Sequence, residues 1–141
     1  MGYRTDGIWL IRGTVEDITA AMVSARMNHP SPARELDMDF SIFDVYEARH
    51  NNNIVGYIKL QFDGWKWYSS YTDIQWLERL WAYWSENPAL SGTRVHVGEE
   101  ETDVEVDRFG DDPTDVYITR SIEVNEATVG NQLFNKEQLC N

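Results

Sequence analysis

Ile54-Val55-Gly56-Tyr57-Ile58-Lys59-Leu60-Gln61-Phe62 is the stretch whose reading decides the fold. Ile54, Ile58, Leu60 and Phe62 fall on even positions, and Lys59 and Gln61 fall between them. A period of two puts the apolar set on one face of a half-buried strand. The preceding Asn51-Asn52-Asn53 reads as a turn, because Asn tolerates the left-handed region. Before it, Phe40-Ser41-Ile42-Phe43-Asp44-Val45-Tyr46 reads as a partner strand, so residues 40–62 are expected to form a hairpin.

Working outward, Ile8-Trp9-Leu10-Ile11 is a short apolar run between Gly7 and Gly13 and reads as a buried strand. Thr14 is placed to cap a helix, with Glu16 and Asp17 in its first turn, where negative charge suits the helix dipole. Val15, Ile18, Met22 and Ala25 recur at helical spacing, and His29-Pro30 ends the run. On the other side, Asp63-Gly64 breaks the strand. A second helix is expected from about Thr72, with Ile74, Leu77, Leu80, Trp81 and Trp84 as its apolar stripe and Trp76 and Tyr83 off its centre. Asn87-Pro88 closes it. Val95 and Val97 fit a short strand. Val104 and Val106 fit another of opposite parity, which places a turn at Gly98-Glu99-Glu100-Glu101. Gly110-Asp111-Asp112-Pro113 is a further turn, and Val116, Ile118, Ile122 and Val124 alternate in a last strand.

The expected order is therefore β-α-β-β-α-β-β-β. Its first six elements match the split βαβ, or ferredoxin-like, pattern. The expected fold is α+β, with both helices on one face and an acidic antiparallel hairpin extending the sheet. Residues 1–126 form a single domain on this reading, and 127–141 a polar tail. The 141-residue chain has 42% hydrophobic and 13% aromatic residues, enough for a core without a disulfide or metal staple. Cys140 is the one cysteine, so no internal disulfide forms. No secretory leader and no apolar run of membrane length is apparent. A cytoplasmic, unanchored protein is expected.

The net charge of −12 is unevenly spread. Residues 98–126 hold eleven acids, including Glu99, Glu100, Glu101, Asp103, Glu105, Asp107, Asp111 and Asp112, against Arg108 and Arg120 alone. Residues 1–97 hold twelve acids and nine bases. Such a surface repels nucleic acid and anionic membrane and suits a basic partner. If Val104 and Val106 point to the core, Asp103, Glu105 and Asp107 point away from it, roughly 6–7 Å apart. That pitch is comparable to the repeat of phosphates along a nucleic-acid strand. Three readings fit this row: a solvated face, a docking site that imitates nucleic acid for a basic protein, and a weak cation site. The spacing does not match the calcium loop, which needs a central Gly and a final Glu.

Eight aromatic residues crowd into 65–84. Trp81 and Trp84 read as core. Trp65 and Trp67 sit in a loop after a glycine, where an exposed Trp can anchor an interface, although core is the commoner fate for at least one of them. His29, His50 and His96 occur singly, and none has a Cys or His at zinc-ligand spacing. His96 reads as a surface or edge-strand residue. No nucleophile elbow, phosphate loop or HExxH motif is present, so no enzyme and no cofactor is expected.

The opening Met1-Gly2-Tyr3-Arg4-Thr5-Asp6 resembles the start of small tailed-phage proteins, which often carry Ser where this chain has Thr5. Trp65-Lys66-Trp67-Tyr68 with Tyr71-Thr72-Asp73 resembles a Lys-Trp-Tyr segment of the same group, as does Gly98-Glu99-Glu100 with its acidic run. The sequence departs from the group at Gly7-Ile8-Trp9. The resemblance implies a phage accessory protein of the bacterial cytoplasm and carries over no catalytic residues. With the charge, it yields the expectation of an acidic protein that inhibits or redirects a basic, nucleic-acid-binding host factor, as an anti-defence (anti-CRISPR) inhibitor does. The contacts would come from Glu99 to Asp112 and from Trp65 or Trp67. The alternatives are a homodimeric assembly protein and a small nucleotide-binding protein with a basic pocket near Arg4, Arg12 or Arg49.

Overall fold

A computed structural model describes residues 4–32, 39–100 and 102–111. The hairpin of the deciding stretch is present as β2 (Asp44–His50) and β3 (Asn53–Trp65). Asn51 and Asn52 connect them with φ of 53° and 70°. Two successive left-handed residues make the turn whose twist matches that of the strands it joins. β1 (Thr5–Gly13) lies on the other side of β3. It is followed by α1 (Val15–Asn28), whose first turn is capped by the Thr14 hydroxyl accepting from the Asp17 amide at 3.0 Å. α2 (Thr72–Ser85), β4 (Ser91–Val97) and β5 (Val104–Phe109) complete the described chain. The five strands form one sheet in the order β2-β3-β1-β4-β5, and every neighbouring pair is antiparallel.

The core lies between one face of this sheet and both helices. Trp9 and Ile11 of β1 and Ile58, Leu60 and Phe62 of β3 meet Ile18, Met22 and Ala25 of α1 and Ile74, Leu77, Leu80, Trp81 and Trp84 of α2. α1 sits so close to β3 that a Cβ at Gly56 would come within about 3.0 Å of the Ile18 side chain. A larger residue there would have to push the helix back by a few tenths of an ångström. Each fully buried indole finds an acceptor, as a buried N–H must. Trp84 donates to the Ala21 carbonyl at 3.3 Å, Trp76 to the His29 carbonyl at 2.9 Å, and Trp9 to a histidine.

Four sequence expectations change. The segment before β2 is not all strand: Phe40–Ile42 is a 3-10 turn capped by Asp39, and pairing starts at Asp44. That turn lays Phe40 edge-on against Trp76 at 5.1 Å, so Trp76 is core rather than off the stripe. β4 begins at Ser91, four residues before its first valine, and is buried on both faces. The extension of the sheet within the described residues is one strand, β5. The expected strand over 116–124, the domain limit at 126 and the tail at 127–141 lie outside the described residues, as do Glu101 and Asp112.

Candidate interaction surface

β4 and β5 are joined by a tight connection in which the Gly98 amide donates to the Asp103 carbonyl at 2.8 Å and the Asp103 amide to the Glu100 carbonyl at 2.9 Å. Glu99, Glu100 and Asp103 are exposed there, and Asp111 is exposed just beyond the other end of β5. Glu99 also accepts from the Arg4 backbone amide at 3.0 Å, which ties the connection to the start of β1.

The facing of β5 reverses the sequence expectation. Residues directly opposite in an antiparallel pair share a face. Trp9 pairs with Arg94, and Arg94 with Asp107; His96 pairs with Glu105. Glu105 and Asp107 therefore stand on the helix side of the sheet. Val106 pairs with Val95 on the other side and is 43% exposed. The parity is set by Trp9, whose indole anchors the core, and not by the two valines. β5 lies at the margin of the helix layer, where Phe109 still reaches Trp81 at 5.1 Å but Glu105 and Asp107 reach water.

On that side sits a cluster the sequence did not announce. The Arg94 guanidinium lies over the Trp81 ring at 4.9 Å and the Trp9 ring at 5.4 Å. Its Nη2 pairs with Glu78 of α2 at 2.9 Å and with Asp107 at 3.3 Å. Arg94 is 8% exposed, and its Nη1 has no hydrogen-bond partner. The aromatic faces offset part of that desolvation. Beside it His96, 5% exposed, accepts from the Trp9 indole at 3.0 Å through Nε2, which leaves its proton on Nδ1. Burial pushes the His96 imidazole down to about 4; the Arg94 charge acts the same way and Asp107 opposes both. His96 is thus an interior, neutral residue, not a surface one.

Trp65 and Trp67 are half-buried and stack on the two sides of Phe62, at 4.6 Å and 5.0 Å. A Cβ at Gly7 would collide with this Phe62 ring, so the strand opposite has to carry a glycine. Trp67 donates its indole N–H to Glu78 at 3.0 Å. A continuous path runs Trp67–Glu78–Arg94–Asp107, joining the aromatic segment to the acidic strand. The structure brings Trp67, Glu105 and Asp107 to one side of the sheet. Glu99, Glu100 and Asp103 gather at one end of β5, and Asp111 stands at the other.

Sequence reasoning passed over Glu78 and Arg94 and put His96 at the surface. In a strand buried on both faces, alternation carries no facing information. The one available signal was a cation, Arg94, two residues from a histidine in a chain with six Trp. Among the described residues no group of three His, Cys, Asp or Glu is arranged to hold a metal ion, and no helix is long and apolar enough to cross a membrane. Comparison with protein-family models, curated proteins and solved structures finds no match to this chain.

Proposed function

We propose that this chain is an acidic binding module that docks a basic, nucleic-acid-binding host protein along β5 and the β4–β5 connection. The observation that carries the reading is the exposure of Glu99, Glu100, Asp103, Glu105, Asp107 and Asp111 on this one edge. Arg94 opposes them from beneath, and it is already shared between Glu78 and Asp107. Arg108, the base of β5 itself, pairs with Thr93 and so points to the other face. The edge therefore offers a cationic partner a run of exposed carboxylates, and charge of one sign speeds such an encounter at low salt.

The element order β-α-β-β-α-β and the sheet order β4-β1-β3-β2 support reading the scaffold as ferredoxin-like, with β5 added outside β4. The resemblance to small tailed-phage proteins supports a phage accessory role in the bacterial cytoplasm, with inhibition of a host defence or polymerase factor as the outcome.

The test is capture from bacterial lysate with immobilised protein at low and high salt, read by mass spectrometry. A basic nucleic-acid-binding protein held only at low salt is expected. The triple variant E99K/E105K/D111K spares Asp107, whose carboxylate holds Arg94, and is expected to keep its fold and release the captured protein. Capture of the same protein at undiminished affinity by the triple variant would sink the reading.

A further inference from the structure

The opposite edge of the sheet carries a different pattern. Among the described residues β2 pairs with β3 alone, so one side of its backbone is unpaired. His50 and Asn53 flank the two-residue turn, and in such a hairpin the flanking pair exchanges both hydrogen bonds. Alternate residues Ala48 and Tyr46 then direct their amides and carbonyls to β3 as well. Val45, Glu47 and Arg49 direct theirs to the open edge. An unpaired row of donors and acceptors is a template for another strand.

We propose that this edge is where a second copy of the chain docks, β2 against β2, in an antiparallel register centred on Ala48. The register follows from charge. Centred on Ala48, each Glu47 stands opposite the partner's Arg49, and each of these pairs is one that exchanges backbone hydrogen bonds. Centred on Glu47, two carboxylates would face each other. Centred on Tyr46, Glu47 would face an apolar Val45. Only the first arrangement makes the strand complementary to itself, as a two-fold interface requires. Ala48 then occupies the close, non-hydrogen-bonded position on the axis, about 4.5 Å between Cα atoms, where a small side chain fits best.

The surroundings agree. Glu47 and Arg49 are exposed, and neither has an ion-pair partner among the described residues. They project on the helix side, where β2 opposes Gly56 and Ile54 of β3. There Val45 and Ile54 are 46% and 54% exposed, because α1 packs chiefly on β3 and leaves the hairpin margin open. A second copy would cover both from across the axis. The result is a continuous ten-stranded antiparallel sheet. Its two β5 edges lie at the outer ends, roughly 40–45 Å apart at one strand spacing per step. The inference does not rest on the proposed function, since it uses the other edge.

Sedimentation equilibrium of the full chain decides it. A dimer of twice the 16.4 kDa chain is expected. E47R and R49E are each expected to give monomers, and the swap E47R/R49E to restore the dimer. A lesion of folding alone would not be rescued by a second charge reversal. A fold-independent check uses A48C in a C140S background, which keeps one cysteine per chain. Mild oxidation is expected to give a covalent dimer, with none for Q61C on the exposed face of β3. A chain that stays monomeric across the concentration range overturns the proposal and leaves the edge to a strand of some other protein. A dimer that survives both single reversals, or an A48C protein that fails to cross-link, overturns it equally.

Discussion

Among the described residues the two margins of the sheet, β2 and β5, are both short and both charged, yet they solve the exposed-edge problem in opposite ways. β5 carries Glu105 and Asp107 on one side, and neither an in-register pairing centred on Val106 nor one centred on Asp107 avoids like charges in contact. Two copies of β5 repel each other and stay available to a cationic partner. β2 carries Glu47 and Arg49 at the same spacing, and reversing one sign turns self-repulsion into self-complementarity. The order of signs along an edge, not the amount of charge, decides what the edge accepts. A dimer through β2 would present two β5 edges at once, so a partner with two basic sites would be bound more tightly than by either edge alone.

The largest expected effect concerns what stands behind β5. The unfolded chain takes a proton on His96 near 6.5, and the folded chain only near 4. Between those values the unfolded state binds more protons, so stability falls as the pH drops from about 6.5 to about 4 and is flat above that window. The full loss amounts to roughly 3 kcal/mol. Urea midpoints of the wild type and of H96F, compared across pH 4 to 7, isolate the contribution of His96. If the two curves run parallel through that window, His96 is not the buried neutral group described above.

A smaller loss is expected from R94M, which keeps the packing between Trp9 and Trp81 but removes the charge. Glu78 and Asp107 are left facing each other without a cation. Both are about half exposed, so water screens part of the cost, and a destabilisation of about 2 kcal/mol is expected. The loss should be local. Amide exchange is expected to speed up along β5 and the β4–β5 connection while β2 and β3 keep their protection. Uniform loosening of both edges would show that Arg94 supports the core as a whole and not β5 in particular.

How much of this was legible follows from which faces water touches. α1, α2 and β3 each bury one side, so period 3.6 or period two marked them; β1 showed as a short apolar run between glycines, and the left-handed Asn51 and Asn52 marked the turn. β4 buries Ser91, Thr93, Arg94 and His96 as well as Val95, and polar residues in an interior strand leave no alternation to read. That gap propagated. With β4 reduced to Val95 and Val97, the valines of β5 became the natural inward set, and the acids were turned outward to solvent. Trp65 and Trp67 showed as aromatic but not as the two stacking partners of Phe62, because a ring sandwich between a strand and the loop after it has no sequence period.

The smallest expected effect tests the facing itself. Val106→Thr exchanges a methyl for a hydroxyl at nearly constant volume. In a core the buried hydroxyl would lack a partner and would cost on the order of 1–3 kcal/mol. At an edge position that is 43% exposed, the hydroxyl meets water, and threonine is as good a strand former as valine. A change within about 0.5 kcal/mol is therefore expected from thermal or urea unfolding. The matching substitution Val95→Thr, one strand inward and 4% exposed, is expected to cost more. Equal and large losses at both positions would put Val106 in the interior and return Glu105 and Asp107 to the side away from Arg94, breaking the path from Trp67 to the acidic edge.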